Sequence, residues 1–578
     1  MKDNFQSLFA SIRSKPLWIL LGLIIVGLLI SVIRVPVFSN DQSSSSLNFE
    51  IKDLPAQLSS SYLRMWIAYI FALLFSATIG TLAATNEVRA KFLIPMLDIL
   101  QSVPVLGFFP TAIAWFMSGS SDEQFSIELA AIFLIFTSQT WNLAFGVYDG
   151  IKSIPSETLY SMKSLGLGPL ALFRRLYLPS VLPRIVDNSV VSWANGWYFL
   201  MACEIISLGP REFRLPGLGS FMHFAIENHD WTKLFVGLAS LVSLILLQDF
   251  LLWKPLGVFA DNYRFNESKS ETTISHSGHK ILNSYKNARI FTPIHFVLDS
   301  FYRLWMQIEK FLEKPTEKGV SPSPLWSWFN RASLAILWGV LIAGAIYATL
   351  ALIEAFVPPY EVAPWKIGLA VLVSTARILL AYVVCLAWII PLVYFVNQHP
   401  SISRTFSSLA QVFASIPAAA LFPLISIIAL NVFHQKELAV LLLLLTGMQW
   451  YLLFGALSGA NSLPNEIKES AIALGVKKKL YLKRVFIPSM LPTLVTASIT
   501  AIGGGWNALI VSEYFIFDGN VNKVFGVGSL LAQATYETGS EKLMTLSLFF
   551  MVTFILAVNR FFWQRLYRSI HQRYKLDA

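Results

Sequence analysis

The chain has 578 residues, 55% of them hydrophobic and 13% charged, with a mean hydropathy of +0.59 and a formal net charge of +10. A soluble chain carries about a quarter charged residues, so an ordinary soluble domain is excluded, and the basic residues sit beside apolar runs, which excludes a nucleic-acid binder. The two cysteines, Cys203 and Cys385, both fall inside apolar runs, so neither a disulfide framework nor a zinc site is expected.

In chain order, the first apolar run is Leu17 to Ile33, preceded by Lys2, Arg13 and Lys15. No small-residue cleavage site follows it, so it reads as an uncleaved anchor. Further runs of roughly 17 to 25 residues, the length that crosses a bilayer, begin near Leu63, Phe92, Ile127, Val181, Leu234, Ala332, Ile367, Phe406, Leu438, Leu491 and Leu543. That makes about twelve spans and an all-α polytopic membrane protein. Basic segments lie at Lys163 to Arg175, Lys254 to Arg331, Lys477 to Arg484 and in the C-terminal tail, whereas SGSSDEQFS after Met117 has no basic residue. The positive-inside rule then puts both termini in the cytoplasm. Between the two sets of spans, Ile290, Ile294, Val297, Phe301, Leu304, Ile308 and Phe311 recur at helical spacing within a polar connector. This predicts either an amphipathic helix on the cytoplasmic membrane face or a packed elbow.

The chain repeats itself. Trp141, Phe145, Gly146, Pro155 and Glu157 recur as Trp450, Phe454, Gly455, Pro464 and Glu466, each 309 residues later. The same offset carries Gly166, Arg175, Pro179, Trp197 and Glu204 to Gly475, Arg484, Pro488, Trp506 and Glu513, and Gly217-x-Gly219-Ser220 to Gly526-x-Gly528-Ser529. Upstream the offset is 313: Ser61, Arg64, Ala68 and Tyr69 match Ser374, Arg377, Ala381 and Tyr382. Drift between apolar segments would exchange Leu for Val; it would not keep Trp, Pro, Gly, Arg and Glu in register. Two modules of about six spans each, in one orientation, make a parallel repeat. The expected division is 1–260, a linker at 261–325, and 326–578.

Each module contains a punctuated cytoplasmic segment, at 153–183 and 462–492. In the second, a helix carries Glu469 and Ala471, Gly475 breaks it, and the basic run KKKLYLKR is expected to form a second short helix before Pro488 and Pro492 open the next span. At these residues the chain resembles the membrane subunit of an ABC importer, whose cytoplasmic loop reads Glu-Ala-Ala, three residues, Gly, then an apolar-x-apolar-Pro ending. Here the second module gives Glu469-Ser470-Ala471, Gly475 and Val485-Phe486-Ile487-Pro488. The first has Tyr160 and Met162 at the Glu and Ala positions but keeps Gly166 and Pro179. SYLRMWIAYIFA, STARILLAYVVC, QSVPVLGFFP, ASIPAAALFP, GWYFLMACE and GWNALIVSE are similar to the nitrate, sulfonate, taurine and bicarbonate branch.

The resemblance implies a type I importer permease, two modules fused, in a bacterial inner membrane. It implies docking of two cytosolic ABC ATPase subunits at loops carrying Glu157, Gly166, Pro179, Glu466, Glu469, Ala471, Gly475 and Pro488. ATP and Mg would belong to those partners, no cofactor would be bound directly, and an external solute-binding protein would deliver a small solute, an oxyanion or sulfonate. No G-x-x-x-x-G-K-[ST] phosphate loop occurs in the chain, so ATP hydrolysis is expected of partners only and the chain itself is read as non-enzymatic.

For the solute path the candidates are Arg64, Trp197, Glu204, Arg377, Trp506 and Glu513. A carboxylate at membrane depth costs roughly 2.5–3.5 kcal/mol on insertion scales and so faces a cavity or a partner. Glu204 and Glu513 either line the path or sit at the outer interface near bases such as Arg211. Arg64 and Arg377 either grip an oxyanion through paired hydrogen bonds or snorkel to headgroups. An ion-coupled secondary transporter of the major-facilitator type also has two parallel halves, and it would use the two glutamates for coupling. That alternative gives no reason for a basic loop written twice.

Overall fold

A computed structural model describes residues 49–263, 313–316, 319–322 and 339–573, except for 166–168, 209–210, 518–519 and scattered positions within 103–121, 340–345, 400–424 and 462–464. The run from Leu17, the amphipathic pattern from Ile290 to Phe311, Gly166 and much of each third span lie outside the described residues.

The first module opens with α1 (Leu54–Thr85), started by Pro55, whose missing N–H falls among groups that have no helical partner anyway. Then come α2 (Glu87–Ser102) and α3 (Glu123–Lys152), the latter capped by Asp122, which accepts a hydrogen bond from the Phe125 amide at 3.1 Å. The short loop helix α4 (Ser156–Ser164) leads to α5 (Leu178–Cys203). A two-stranded hairpin, β1 (Ile205–Leu208) and β2 (Arg211–Arg214), precedes α6 (Leu218–Glu227) and α7 (Trp231–Gln248).

The connector contributes a second hairpin, β3 (Glu313–Thr316) with β4 (Gly319–Pro322). The second module follows the same order. It has α8 (Pro364–Gln398), α9 (Lys436–Asn461), loop helix α10 (Asn465–Ala473) and α11 (Ile487–Glu513). The hairpin β5 (Tyr514–Phe517) and β6 (Asn520–Lys523), then α12 (Val527–Ala532) and α13 (Glu541–Val558), complete it. The outer hairpins match in register, Ile205 opposite Arg214 and Tyr514 opposite Lys523. Period-3.6 reasoning had no place for them, although the Gly-Pro and Asp-Gly dipeptides that follow the first strand of each are turn signals in a sequence.

Seven helices among the described residues are long and apolar enough to cross a membrane: Ile51–Thr85, Gln124–Lys152, Trp231–Ala260, Pro364–Gln398, Lys436–Asn461, Lys478–Glu513 and Glu541–Ile570. Helix α5 has the length but is more polar, with Arg184, Asp187, Asn188 and Asn195. In each module the third-listed of these neighbours is reached through the second: α1 packs on α3 and α3 on α5, as α8 packs on α9 and α9 on α11. One apolar core is shared by the modules, joining Leu134, Phe199 and Cys203 to Ile378, Met448 and Leu509.

One expectation needs correcting. The KKKLYLKR run is not a separate short helix before a new span. Lys478–Tyr481 continues through a π-turn at Leu482–Phe486 directly into α11. The first module does the same through Phe173–Tyr177 into α5. Pro179 and Pro488 lack the N–H that a tight turn would use, and the extra residue in each π-turn makes room for the proline ring without breaking the rod.

Candidate functional site

At the end of the bundle opposite α4 and α10, each module buries an arginine between two glutamates. Arg64 is wholly buried. Its Nε and Nη2 donate to the two oxygens of Glu128 at 2.6 and 2.7 Å, its Nη1 to Glu204 at 2.7 Å, and its Nη2 also to the Pro216 carbonyl at 2.8 Å. Glu204 further accepts from the Ser61 hydroxyl and the Gly219 amide, and Ser61 in turn accepts from the Leu218 amide at 2.8 Å. The second module repeats the pattern bond for bond. Arg377 holds Glu437 through two bonds and Glu513 through one, all at 2.7 Å, and reaches the Phe525 carbonyl at 2.8 Å. Ser374 and the Gly528 amide donate to Glu513 at 2.7 and 2.8 Å.

The physics of these clusters is that of charges removed from water. A bidentate arginine–carboxylate pair satisfies directional donors and acceptors together. The amides at the start of α6 and α12 add the positive end of a helix to the second carboxylate. Gly217 and Gly526 are required by close approach, since a Cβ at either would overlap the Glu204 or Glu513 carboxylate. The two clusters differ in exposure: Arg64 and Glu128 are fully buried, whereas the Arg377 and Glu437 side chains are 13% and 60% exposed.

Thus Arg64 neither snorkels nor stands open to a ligand, and Glu204 pairs with Arg64 across two helices. Glu128 and Glu437 were not among the sequence candidates. They stand 309 residues apart in Glu-Leu-Ala triplets at the start of a span, and that repeat was the available signal.

A cavity of about 1250 Å³ is walled by both modules. Trp141 and Trp450, Asn142 and Tyr451, and Tyr198 and Asn507, each pair at the 309 offset, all line it. Among the described lining residues Asp187 is the only acid and there is no Lys, Arg or His; hydroxyls, amides and aromatic rings make up the polar surface. Two hydrogen bonds cross between modules in this wall, Tyr451 Oη to Asn195 at 2.6 Å and the Val105 amide to Asn507 at 3.0 Å.

Trp506 lines the cavity, whereas Trp197, Arg64, Glu204, Arg377 and Glu513 are not among its described lining residues. The two tryptophans therefore part company despite their shared repeat position. Trp197 packs against Trp193, which contacts Trp66 at 4.9 Å and Trp253 at 6.1 Å. The second module has Leu379 and Ile502 in place of Trp66 and Trp193, whereas Trp563, which ends the matching π-turn and meets Tyr382 as Trp253 meets Tyr69, keeps the third ring; all three line the cavity.

The loops sit at the other end. Glu157, Tyr160, Glu466 and Glu469 are exposed, while Met162 and Ala471 are buried at equivalent positions. Gly475 has φ +64°, and the Val476 amide bonds back to the Ala471 carbonyl at 3.0 Å. This is the glycine-terminated helix end in which only a residue free of a Cβ adopts the left-handed turn at low cost. Pro179 and Pro488 lie in the first turn of α5 and α11.

A duplicated helical membrane protein with a cavity walled by both modules and a loop turned at Gly475 is consistent with a polytopic transport component. The chain matches the family described as binding-protein-dependent transport system inner membrane component over residues 76–252 and again over 384–576, and it belongs to that family. It is similar to the bicarbonate transport system permease protein CmpB of Synechocystis sp., 26% identical over 34% of this chain and 66% of that protein. The nitrate import permease protein NrtB of Leptolyngbya laminosa is 24% identical over 32% of this chain and 63% of that protein. The taurine transport system permease protein TauC of Escherichia coli is 26% identical over 26% of this chain and 52% of that protein. The chain thus spans less than two thirds of the length of each.

Proposed function

We propose that this chain supplies both permease modules of an ATP-driven importer, with both termini cytoplasmic. Two cytosolic ATPase subunits dock on the α4 and α10 loops, carrying the ATP and Mg, and a binding protein outside delivers the solute. The observation that carries this reading is mechanical. The α10 turn joins an unbroken rod, Lys478–Glu513, whose far half bears the cavity residues Thr500, Trp506 and Asn507. A push on the loop therefore moves the cavity wall.

The solute class that fits the family likeness is a small oxyanion or sulfonate. Neutral hydroxyl, amide and indole donors suit its passage, because they solvate an anion without the deep binding that an unscreened arginine would give. The clusters around Arg64 and Arg377 serve as the fixed ends against which the rods tilt. The ion-coupled alternative gains nothing from Glu204 and Glu513, whose oxygens are already engaged by arginine, serine and backbone amides.

Gly475→Val tests the reading. A Cβ there meets nothing within 4 Å, so the bundle is expected to fold. The left-handed turn is then penalised by about 1–2 kcal/mol, and the loop relaxes to another conformation. Copurification of the ATPase and ATP-dependent uptake in proteoliposomes are expected to fall about tenfold or more. Undiminished uptake without any ATPase present would instead support ion coupling.

A further inference from the structure

We propose that the two loops hold their ATPase subunits by different chemistry: the second by charge, the first by an aromatic and apolar face. The two subunits are then bound with unequal salt sensitivity. This rests on the importer reading above.

The loops share a minimum. Glu157 and Glu466 are both exposed in the first turn of their helices, and Leu165 and Leu474 are 68% and 82% exposed just before the glycine position. Large apolar side chains held out at matching places on two loops form a common docking contact. Around that minimum the surfaces diverge. Tyr160, 68% exposed, stands where the second loop has the exposed Glu469. The first loop runs Gly168-Pro169-Leu170 where the second has Lys477-Lys478-Lys479, all three of them exposed. Arg174 and Arg175 are half-buried, whereas Lys483 and Arg484 are exposed.

Over residues 156–175 the charged residues are Glu157, Lys163, Arg174 and Arg175, a net +2; over 465–484 they are Glu466, Glu469, Lys468, Lys477, Lys478, Lys479, Lys483 and Arg484, a net +4. Exposed charges contribute through a field that salt screens over about 10 Å at 0.1 M, and rim charges govern encounter and salt dependence. Apolar contact made by Tyr160 and Leu165 is not screened in this way. The fusion of both modules in one chain fixes which subunit meets which loop, so the inequality is permanent and not averaged by exchange of copies.

The test uses the complex purified through a C-terminal tag from cells that make the chain. It is kept nucleotide-free with EDTA so that the ATPase subunits do not clamp each other, and followed by native mass spectrometry from 50 to 500 mM NaCl. The expected result is a species retaining one ATPase subunit at intermediate salt. The affinity of the other falls about tenfold over the range. The exchanges Tyr160→Glu and Glu469→Tyr, both at exposed positions, are expected to move the salt sensitivity with the side chain. Tyr160→Glu makes both subunits leave in high salt, and Glu469→Tyr, made together with Lys477→Ser, Lys478→Ser and Lys479→Ser so that the basic run goes with the acid, leaves both in place. Loss of both copies at one salt concentration in the unaltered chain, or exchanges that move neither, overturns the proposal. Failure to recover any ATP-hydrolysing subunit at 50 mM NaCl overturns the importer reading itself.

Discussion

Arg64→Met is expected to destabilise the detergent-solubilised protein by about 3–5 kcal/mol, the cost of leaving buried carboxylates without their counter-charge. Glu128 and Glu204 are both fully buried and both depend on this one guanidinium, and neither can reach water without opening the contacts between α1, α3 and α5. Arg377→Met should cost roughly half as much. Of its two partners only Glu513 is buried, and Glu437 is already 60% exposed and can be hydrated where it stands. The measurement is the denaturation midpoint followed by tryptophan fluorescence. Adding Glu128→Gln and Glu204→Gln to Arg64→Met removes the stranded charges and should restore most of the loss. Equal losses for the two arginine variants would show that burial does not set the energy of these clusters.

The second large effect is expected at Gly217. Its backbone is extended, with φ 176° and ψ 171°, so any residue can adopt the conformation and no turn strain is involved. What forbids a side chain is the Glu204 carboxylate, which a Cβ would overlap. That carboxylate is pinned from the other side by Ser61, Arg64 and the Gly219 amide, so it has nowhere to go. Gly217→Ala should cost about 1–3 kcal/mol as overpacking, and more if the hydrogen bonds to Glu204 are lost with it. Gly526→Ala, against Glu513, should behave alike. Gly257→Ala is the control, because a Cβ there meets nothing within 4 Å. In a helix that change is neutral or stabilising by about 0.5–1 kcal/mol. A Gly217→Ala protein as stable as the control would mean that Glu204 is not held as described.

Much of the loop end was legible in the sequence. Gly475 could be named because a glycine at the end of a helical stretch supplies the left-handed residue that lets the helix stop and turn, and that requirement is local. The run of lysines and the prolines were equally visible. Their outcome was read wrongly at one point, since a proline after basic residues signals a break to a sequence reader. The π-turn that lets the rod pass through Pro488 is a matter of one extra residue in the hydrogen-bond ladder. At the opposite end, Arg64 and Glu204 were singled out separately, yet nothing in a sequence says that residues 140 positions apart will share a bond. Glu128 was overlooked because one acid at the head of an apolar run looks like an ordinary helix-start residue.

What the sequence determined by itself was the duplication, the membrane setting and the turned loop at Gly475. These depend on period, composition and backbone preference, and all act over a few residues or by repetition. The tertiary structure decided which charges meet, which of two equivalent tryptophans faces the cavity, and how far one cluster opens to water. Those outcomes depend on the volumes of neighbours contributed by distant helices. Trp193 packs on Trp197, whereas its counterpart Ile502 lines the cavity together with Trp506, and no local rule contains that difference.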